Sequence, residues 1–245
     1  MKKILITLIL AVQSLLGAQA LAAPCTMSTL DAYFGLGSAG CTIGNFTFSN
    51  FSLLEQPTGS VPFTVVNVTP VAVGATAVGL DFGVNASATS GTLFEDLISY
   101  RVTGIGASLN GASLFFTGSS TDAGGNGAAT VVENLCIGGL FLGADGVSGC
   151  STPQNLIVAN SFNSADPPVS LTFLPVALLD VVTDIAIDGG SGGFASLGSA
   201  SNRFQIAAID AVPVPEPAAF LLVIAGLLAL YGSRATRFFR LSRLA

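Results

Sequence analysis

Hydrophobic residues alternate with small or polar ones through the middle of the chain. The alternation recurs in four segments, at Val78, Leu80, Phe82 and Val84, at Ile98, Tyr100 and Val102, at Val169, Leu171 and Phe173, and at Val181, Thr183, Ile185 and Ile187. A period of two places successive side chains on opposite faces of a β-strand, so the pattern predicts strands with one buried face.

Segments rich in Gly, Ser, Asn and Asp separate these strands, and no stretch of ten or more residues in this region shows helical periodicity. The pattern predicts an all-β domain over residues 23–211, an antiparallel β-sandwich of jelly-roll-like or Ig-like type with roughly eight to ten strands. The Gly-rich link after Ile187 resembles a hairpin connection, which would make the last two strands neighbours in one sheet.

The first residues have the order of features of a secretory signal peptide. Two lysines precede an apolar run over residues 4–16, and small residues follow as far as Ala20 and Ala22. A retained N-terminal anchor is the alternative, but the apolar run is shorter than the ~20 residues of a usual span. We therefore predict a signal helix over residues 1–22 that is removed on export.

Charged residues make up only 9% of the chain, and it contains no His and no Trp. Between residues 23 and 212, thirteen Asp and Glu stand against Arg101 and Arg203, which leaves a net charge of −11. A surface of this sign repels phosphate backbones, so we expect no nucleic-acid partner. Neutral surfaces such as polysaccharide are more compatible with it.

The four cysteines form two local pairs in the sequence, Cys25 with Cys41 and Cys136 with Cys150. An even number behind an export signal indicates disulfides formed in an oxidising compartment. Four cysteines allow three connectivities, and the two short loops are favoured because closing them costs the least chain entropy. A zinc site is the alternative, but the chain has no C-x-x-C spacing and no His.

Two glycine motifs match catalytic or cofactor patterns without their context. Gly35 to Gly40 spells G-x-G-x-x-G, but a strand-like segment follows it instead of a helix. Gly189 to Gly193 spells G-x-S-x-G around Ser191, but the chain has no His to act as its base.

The adjacent carboxylates Glu95 and Asp96 would point to opposite faces of a strand, so they would not form an acid and base pair at one bond. We therefore assign no catalytic residues and no cofactor, and expect a protein that is not an enzyme.

One segment partly matches a calcium-binding loop. Counted from Asp122, it has an amide oxygen at position five, Asn126, and a carboxylate at position twelve, Glu133. Position three is Gly124, which offers no side-chain ligand, and no helices flank the loop. A plain connecting loop between strands is the favoured alternative, and no other metal site is predicted.

The end of the chain differs from everything before it. Alternating prolines hold residues 212–217 extended, because each proline restricts itself and the residue before it. The uncharged residues 218–231 would form a helix about 21 Å long, shorter than a ~30 Å hydrocarbon core. We predict a transmembrane helix over residues 218–232. The basic cytoplasmic tail, residues 233–245, carries four membrane-stop arginines at Arg234, Arg237, Arg240 and Arg243.

Pro215-Glu216-Pro217, the apolar helix and the basic end together resemble the PEP-CTERM sorting signal of Gram-negative bacteria. The resemblance covers the tail alone. It implies recognition by exosortase, a membrane enzyme of cysteine protease or transpeptidase type, and removal of the tail near the Pro-Glu-Pro motif. An ordinary C-terminal membrane anchor is the alternative, but such an anchor needs no Pro-Glu-Pro.

These observations predict an exported protein with a structural or adhesive role, held transiently in the inner membrane and then placed at the cell surface or in the extracellular matrix. A carbohydrate-binding module that retains exopolysaccharide is the alternative. Its weakness is the shortage of Tyr and Trp, since most of the seventeen phenylalanines are expected in the core.

Overall fold

The computed structural model describes residues 22–54, 62–120, 126–143, 145–161, 164–165 and 167–208. The chain divides into two compact units, residues 1–207 and 208–245, and the fold below is that of the first. The signal peptide up to residue 21, the Pro-Glu-Pro motif, the transmembrane helix and the basic tail fall outside the described residues. Within these ranges, no helix has the length and apolar character that a membrane span requires.

The described residues form thirteen strands and one short helix. In chain order they are β1 (Ser28–Thr29), α1 (Leu30–Phe34), β2 (Cys41–Ile43), β3 (Phe46–Leu53), β4 (Asn67–Val73), β5 (Ala77–Thr89), β6 (Leu93–Gly104), β7 (Leu109–Ser120), β8 (Ala128–Ile137), β9 (Pro153–Ser161), β10 (Ser164–Ala165), β11 (Val169–Val176), β12 (Leu178–Asp188) and β13 (Phe194–Ile206). The helix begins after Thr29, whose hydroxyl accepts a hydrogen bond from the amide of Ala32.

The strands build two antiparallel sheets that pack face to face as a β-sandwich. One sheet has the order β1-β4-β5-β13-β7-β11, and the other has the order β10-β9-β8-β12-β6-β3-β2. The predicted fold class is therefore confirmed at the level of an antiparallel sandwich.

The alternation read from the sequence gives the buried faces of β5, β6 and β12 correctly, whereas Val169, Leu171 and Phe173 of β11 are only partly buried. Val78, Leu80, Phe82 and Val84 of β5 are buried, and so are the alternating residues predicted in β6 and β12. Rings from both sheets meet at the centre of the core, where Tyr100 lies within 6.4 Å of Phe48, Phe82 and Phe204 between ring centroids. In the described residues six phenylalanines are buried, and four more pack partly buried against the core.

The predicted pairing of the last two strands is wrong. Strand β12 pairs with β6 and β8 in the seven-stranded sheet, whereas β13 pairs with β5 and β7 in the six-stranded sheet. The Gly-rich link crosses between the layers and packs closely on the turn after β5, since a Cβ added to Gly189 would lie 1.9 Å from the carbonyl oxygen of Thr89. The glycines of the link allow close packing against another turn. The sequence pattern alone does not distinguish this requirement from that of a tight hairpin turn.

Candidate ligand-binding pocket

Both predicted disulfides are present with the local connectivity. Cys25–Cys41 ties the segment before β1 to β2. Cys136–Cys150 joins the end of β8 to the far end of the loop between β8 and β9. Cys136 lies opposite Asp180 in the register of β8 and β12, so this bridge anchors the loop directly beside that carboxylate.

Arg101 and Asp180 form an ion pair on the outer face of the seven-stranded sheet. The register of β6 and β12 places the two residues directly opposite each other, and Tyr100 and Val181, their neighbours in sequence, point into the core. The Arg101 Nε donates to Asp180 Oδ1 at 3.3 Å. The side chains are 30% and 16% exposed, which leaves them accessible without full solvent screening.

The loop between β8 and β9, described over residues 138–143 and 145–152, folds back over this face and forms one wall of a pocket. The backbone amide of Phe141 donates to Asp180 Oδ2 at 3.1 Å, so both oxygens of Asp180 are engaged. Within the loop, Asp145 Oδ1 accepts hydrogen bonds from the amides of Val147 and Ser148. These hydrogen bonds lower the pKa of the exposed Asp145 carboxyl, those from Ser148 most strongly.

The pocket has a volume of about 190 Å³. Ser99, Arg101 and Asp180 form its floor, and Phe141 of the loop and Asn50 of β3 line its sides. Asn50 has a left-handed backbone, with φ of 56°, at a register shift between β3 and β6. Shifts of this kind re-aim side chains at the edges of binding sites.

Polar groups in the pocket retain hydrogen-bonding capacity. Among the described residues, the Arg101 guanidinium is hydrogen-bonded through Nε alone, which leaves its terminal nitrogens as donors. Each Asp180 oxygen accepts one bond and can accept another. The Ser99 hydroxyl forms a 2.6 Å hydrogen bond with the Ser52 hydroxyl. Donors and acceptors thus converge in one pocket, as in many small-molecule sites.

Sequence reasoning counted Arg101 and Asp180 as charges and did not place them in a site. They are 79 residues apart, so their pairing depends on the sheet register. A signal was nevertheless present, because Arg101 is one of only two bases between residues 23 and 212, against thirteen acids.

Of the three calcium-loop candidates, Asp122 lies outside the described residues, and the structure shows the surroundings of Asn126 and Glu133. Asn126 Oδ1 accepts hydrogen bonds from the amide and hydroxyl of Ser191, at 2.6 and 3.2 Å. Glu133 lies fully buried in the middle of β8. Ala128 and Glu133 are five positions apart in β8, about 17 Å along the strand, which is unfavourable for a shared ion. Calcium binding by Asp122, Asn126 and Glu133 stays a prediction.

Glu133 instead belongs to a polar group buried between the sheets. Asn202 Nδ2 donates to the Tyr100 hydroxyl at 2.8 Å and to Thr183 Oγ1 at 2.6 Å, and Thr183 lies opposite Glu133 in the register. Neither carboxyl oxygen of Glu133 has a hydrogen-bond partner in the described part of the chain. Burial raises the pKa of the Glu133 carboxyl well above its ordinary value, which favours the protonated form.

Glu95 and Asp96 lie on opposite faces of β6, as predicted, since Glu95 is opposite Ala186 and Asp96 is opposite the core residue Ile185. The carboxyl group that Glu95 contacts is that of Asp184, not that of Asp96, and the two share a hydrogen bond. Burial, the charge of Asp184 and this hydrogen bond raise the pKa of Glu95. Two carboxyls in hydrogen-bond contact are closer than the ~5 Å spacing of paired glycosidase carboxyls.

Neither glycine motif has the setting that its chemistry requires. The G-x-G-x-x-G segment follows α1 and leads into β2, the reverse of the strand-to-helix order of a dinucleotide site. Ser191 of the G-x-S-x-G segment hydrogen-bonds the amide oxygen of Asn126, which is not a base.

No protein-family model and no curated protein matches the sequence. Among solved structures, the chain is similar to the carbohydrate-binding module TmCBM61 in complex with beta-1,4-galactotriose, at 10% identity and a TM-score of 0.27, over 69% of this chain and 92% of that one. A glycosylation-associated protein complex from Streptococcus agalactiae matches at 10% identity and a TM-score of 0.27, over 67% of this chain and 26% of that one.

The enzymatically active domain of a tailspike protein from bacteriophage CBA120 matches at 14% identity and a TM-score of 0.21, over 68% of this chain and 20% of that one. At TM-scores this low, the three likenesses carry no argument about what this chain binds.

Proposed function

We propose that this chain is an exported protein of the cell surface or extracellular matrix, with a structural or adhesive role and no catalytic activity. The observation that carries the proposal is the pair of disulfides in a two-sheet sandwich. Disulfides of this kind are typical of exported and extracellular proteins, where the compartment keeps them oxidised.

Delivery to that location is the role of the C-terminal tail. Exosortase would recognise Pro215-Glu216-Pro217 while the apolar residues 218–232 hold the precursor in the inner membrane, and would then remove the tail. The extended conformation that the prolines impose suits a protease groove, and the arginines keep the end of the chain on the cytoplasmic side.

Replacement of Pro215, Glu216 and Pro217 by alanine tests the sorting step in a host with exosortase. The triple variant should remain at full length in the membrane fraction, while the unaltered protein is shortened and released. The matched control is Pro213→Ala, which changes a proline of the same extended segment outside the motif and should be processed normally. Normal shortening of the triple variant would exclude this sorting signal.

Retention of polysaccharide is a second role, favoured by the pocket beside Arg101. A cleft that Phe141 lines and in which hydrogen-bonding groups converge suits a saccharide, whose hydroxyl groups both donate and accept hydrogen bonds. Binding of the purified protein to an array of neutral and acidic glycans tests this role directly, and retention of none of them would contradict it.

A further inference from the structure

We infer that the pocket bounded by Arg101, Asp180, Asn50 and Phe141 binds a single neutral sugar ring through adjacent hydroxyl groups. The inference rests on the proposed polysaccharide-retaining role and assigns that role to one site and one class of ligand.

The size of the pocket limits the ligand. Its volume of about 190 Å³ is below the ~300–1,000 Å³ of sites that enclose drug-sized molecules. One ring of a chain fits in such a space, with the neighbouring rings outside it. This arrangement lets the protein hold a long polymer at a terminal or protruding unit.

The hydrogen-bonding groups favour hydroxyls as the recognised feature. The guanidinium of Arg101 offers donors in a planar fork, which can bond two neighbouring oxygens together. Asp180 offers acceptors only, and a sugar hydroxyl is both a donor and an acceptor. The pair therefore satisfies both properties of adjacent hydroxyls on one ring.

Electrostatics disfavour an acidic sugar at this place. The positive charge of Arg101 is already neutralised by Asp180, with 3.3 Å between Nε and Oδ1. The net charge of −11 over residues 23–212 repels a polyanion at longer range. A uronate or sulfated ring would therefore meet no net attraction, whereas a neutral ring has no such penalty.

The walls of the pocket are held in place before any ligand arrives. The loop is tied by Cys136–Cys150 and by the bond from the Phe141 amide to Asp180. On its other side Gly146 packs on Leu54, since a Cβ added to Gly146 would lie 2.2 Å from Leu54 Cδ1. A preformed site loses little entropy on binding, which matters for a small ligand.

The test measures binding of neutral and uronate polysaccharides, with methyl hexopyranosides as single-ring probes, by calorimetry and saturation-transfer NMR. Arg101→Gln should weaken binding of the neutral ligands by at least about tenfold, because it removes a charged donor. The matched control is Arg203→Gln, which breaks a similar ion pair, with Asp81 at 2.7 Å, on the other sheet. It should bind like the unaltered protein.

The possible results distinguish failure of the proposed binding site at Arg101 from failure of the proposed polysaccharide-retaining role. If the unaltered protein binds glycans and Arg101→Gln binds equally well, the site is wrong and the role stands. If the unaltered protein binds none of the probes, the role itself fails, and preferential uronate binding overturns the neutral ligand. Should Arg101→Gln not fold, Phe141→Ala, which leaves the ion pair intact, replaces it with the same expected loss.

Discussion

Glu133 occupies a core position that usually holds an apolar side chain. It lies in β8 opposite Thr183, in the same sheet as Tyr100, and Asn202 of the facing sheet donates hydrogen bonds to Thr183 and Tyr100. A buried charge without a partner would cost several kcal/mol, and the raised pKa of the Glu133 carboxyl favours the protonated form, which avoids that cost. In the protonated form the group still lacks hydrogen-bond partners in the described residues, which costs about 1–3 kcal/mol.

The burial of Glu133 predicts a pH-dependent stability. The folded state holds the proton, while the unfolded chain releases it near its ordinary pKa of 4.5. The free energy of unfolding should therefore be greatest below that pH and fall as the pH rises, by up to about 1.4 kcal/mol per unit, until the raised pKa is passed. Glu133→Gln should be more stable than the unaltered protein at pH 7 and should decline less between pH 5 and 8.

Denaturant unfolding at several pH values measures this effect. The pKa values of Glu95 and Asp184 are also raised, so the unfolding free energy of Glu133→Gln should still decline with pH, but less steeply. Asp145→Asn removes an exposed carboxyl and serves as the control, since it should leave the steep decline in place. An equal slope in Glu133→Gln and the unaltered protein would show that Glu133 is not the source.

The two disulfides close loops of similar length in different parts of the sandwich. The bonded cysteines are 16 and 14 residues apart, so in the chain-entropy account each bridge contributes about 3 kcal/mol to stability. Their expected effects on function differ, because only Cys136–Cys150 holds a wall of the pocket.

Replacing each pair of cysteines by serine separates the two effects. Both double variants should lose about 3 kcal/mol of unfolding free energy. Loss of Cys136–Cys150 should also weaken saccharide binding, whereas loss of Cys25–Cys41 should leave binding by the folded protein unchanged. Unfolding and titration on the same samples check this, and equal binding by both variants would mean that the loop does not form the site.

At the scale of the whole molecule, strands that follow one another in the chain often stack in opposite sheets. From β5 to β8 the chain changes sheet at every connection, and it does so again from β11 to β13. Each layer is thus composed of distant segments, and β13 is paired over most of its length on both edges. Such interleaving joins the two layers through many short connections.

The mature protein is expected to be much shorter than the precursor. Intact mass of protein from the medium should show an N-terminus just after Ala20 or Ala22 and a C-terminus near Pro215-Glu216-Pro217. In a host without exosortase the tail should persist. A released product that still ends at Ala245 would contradict the processing proposed here.

The local pattern of residues was sufficient to predict an all-β domain, the buried faces of β5, β6 and β12, and the disulfide partners. These properties depend on side-chain alternation and on short loops, which act over a few residues. The Pro-Glu-Pro tail is equally local, and its sorting role remains a prediction.

Only the tertiary structure decided which sheet each strand joins, and therefore where polar residues meet. A strand with one buried face fits into either sheet equally well. The alternation therefore could not distinguish a hairpin within one sheet from a connection between sheets at β12 and β13. For the same reason, the sequence pattern did not predict the pairing of Arg101 with Asp180 or the burial of Glu133. Both follow from the register between strands that are far apart in the chain, and that register depends on how the whole core packs.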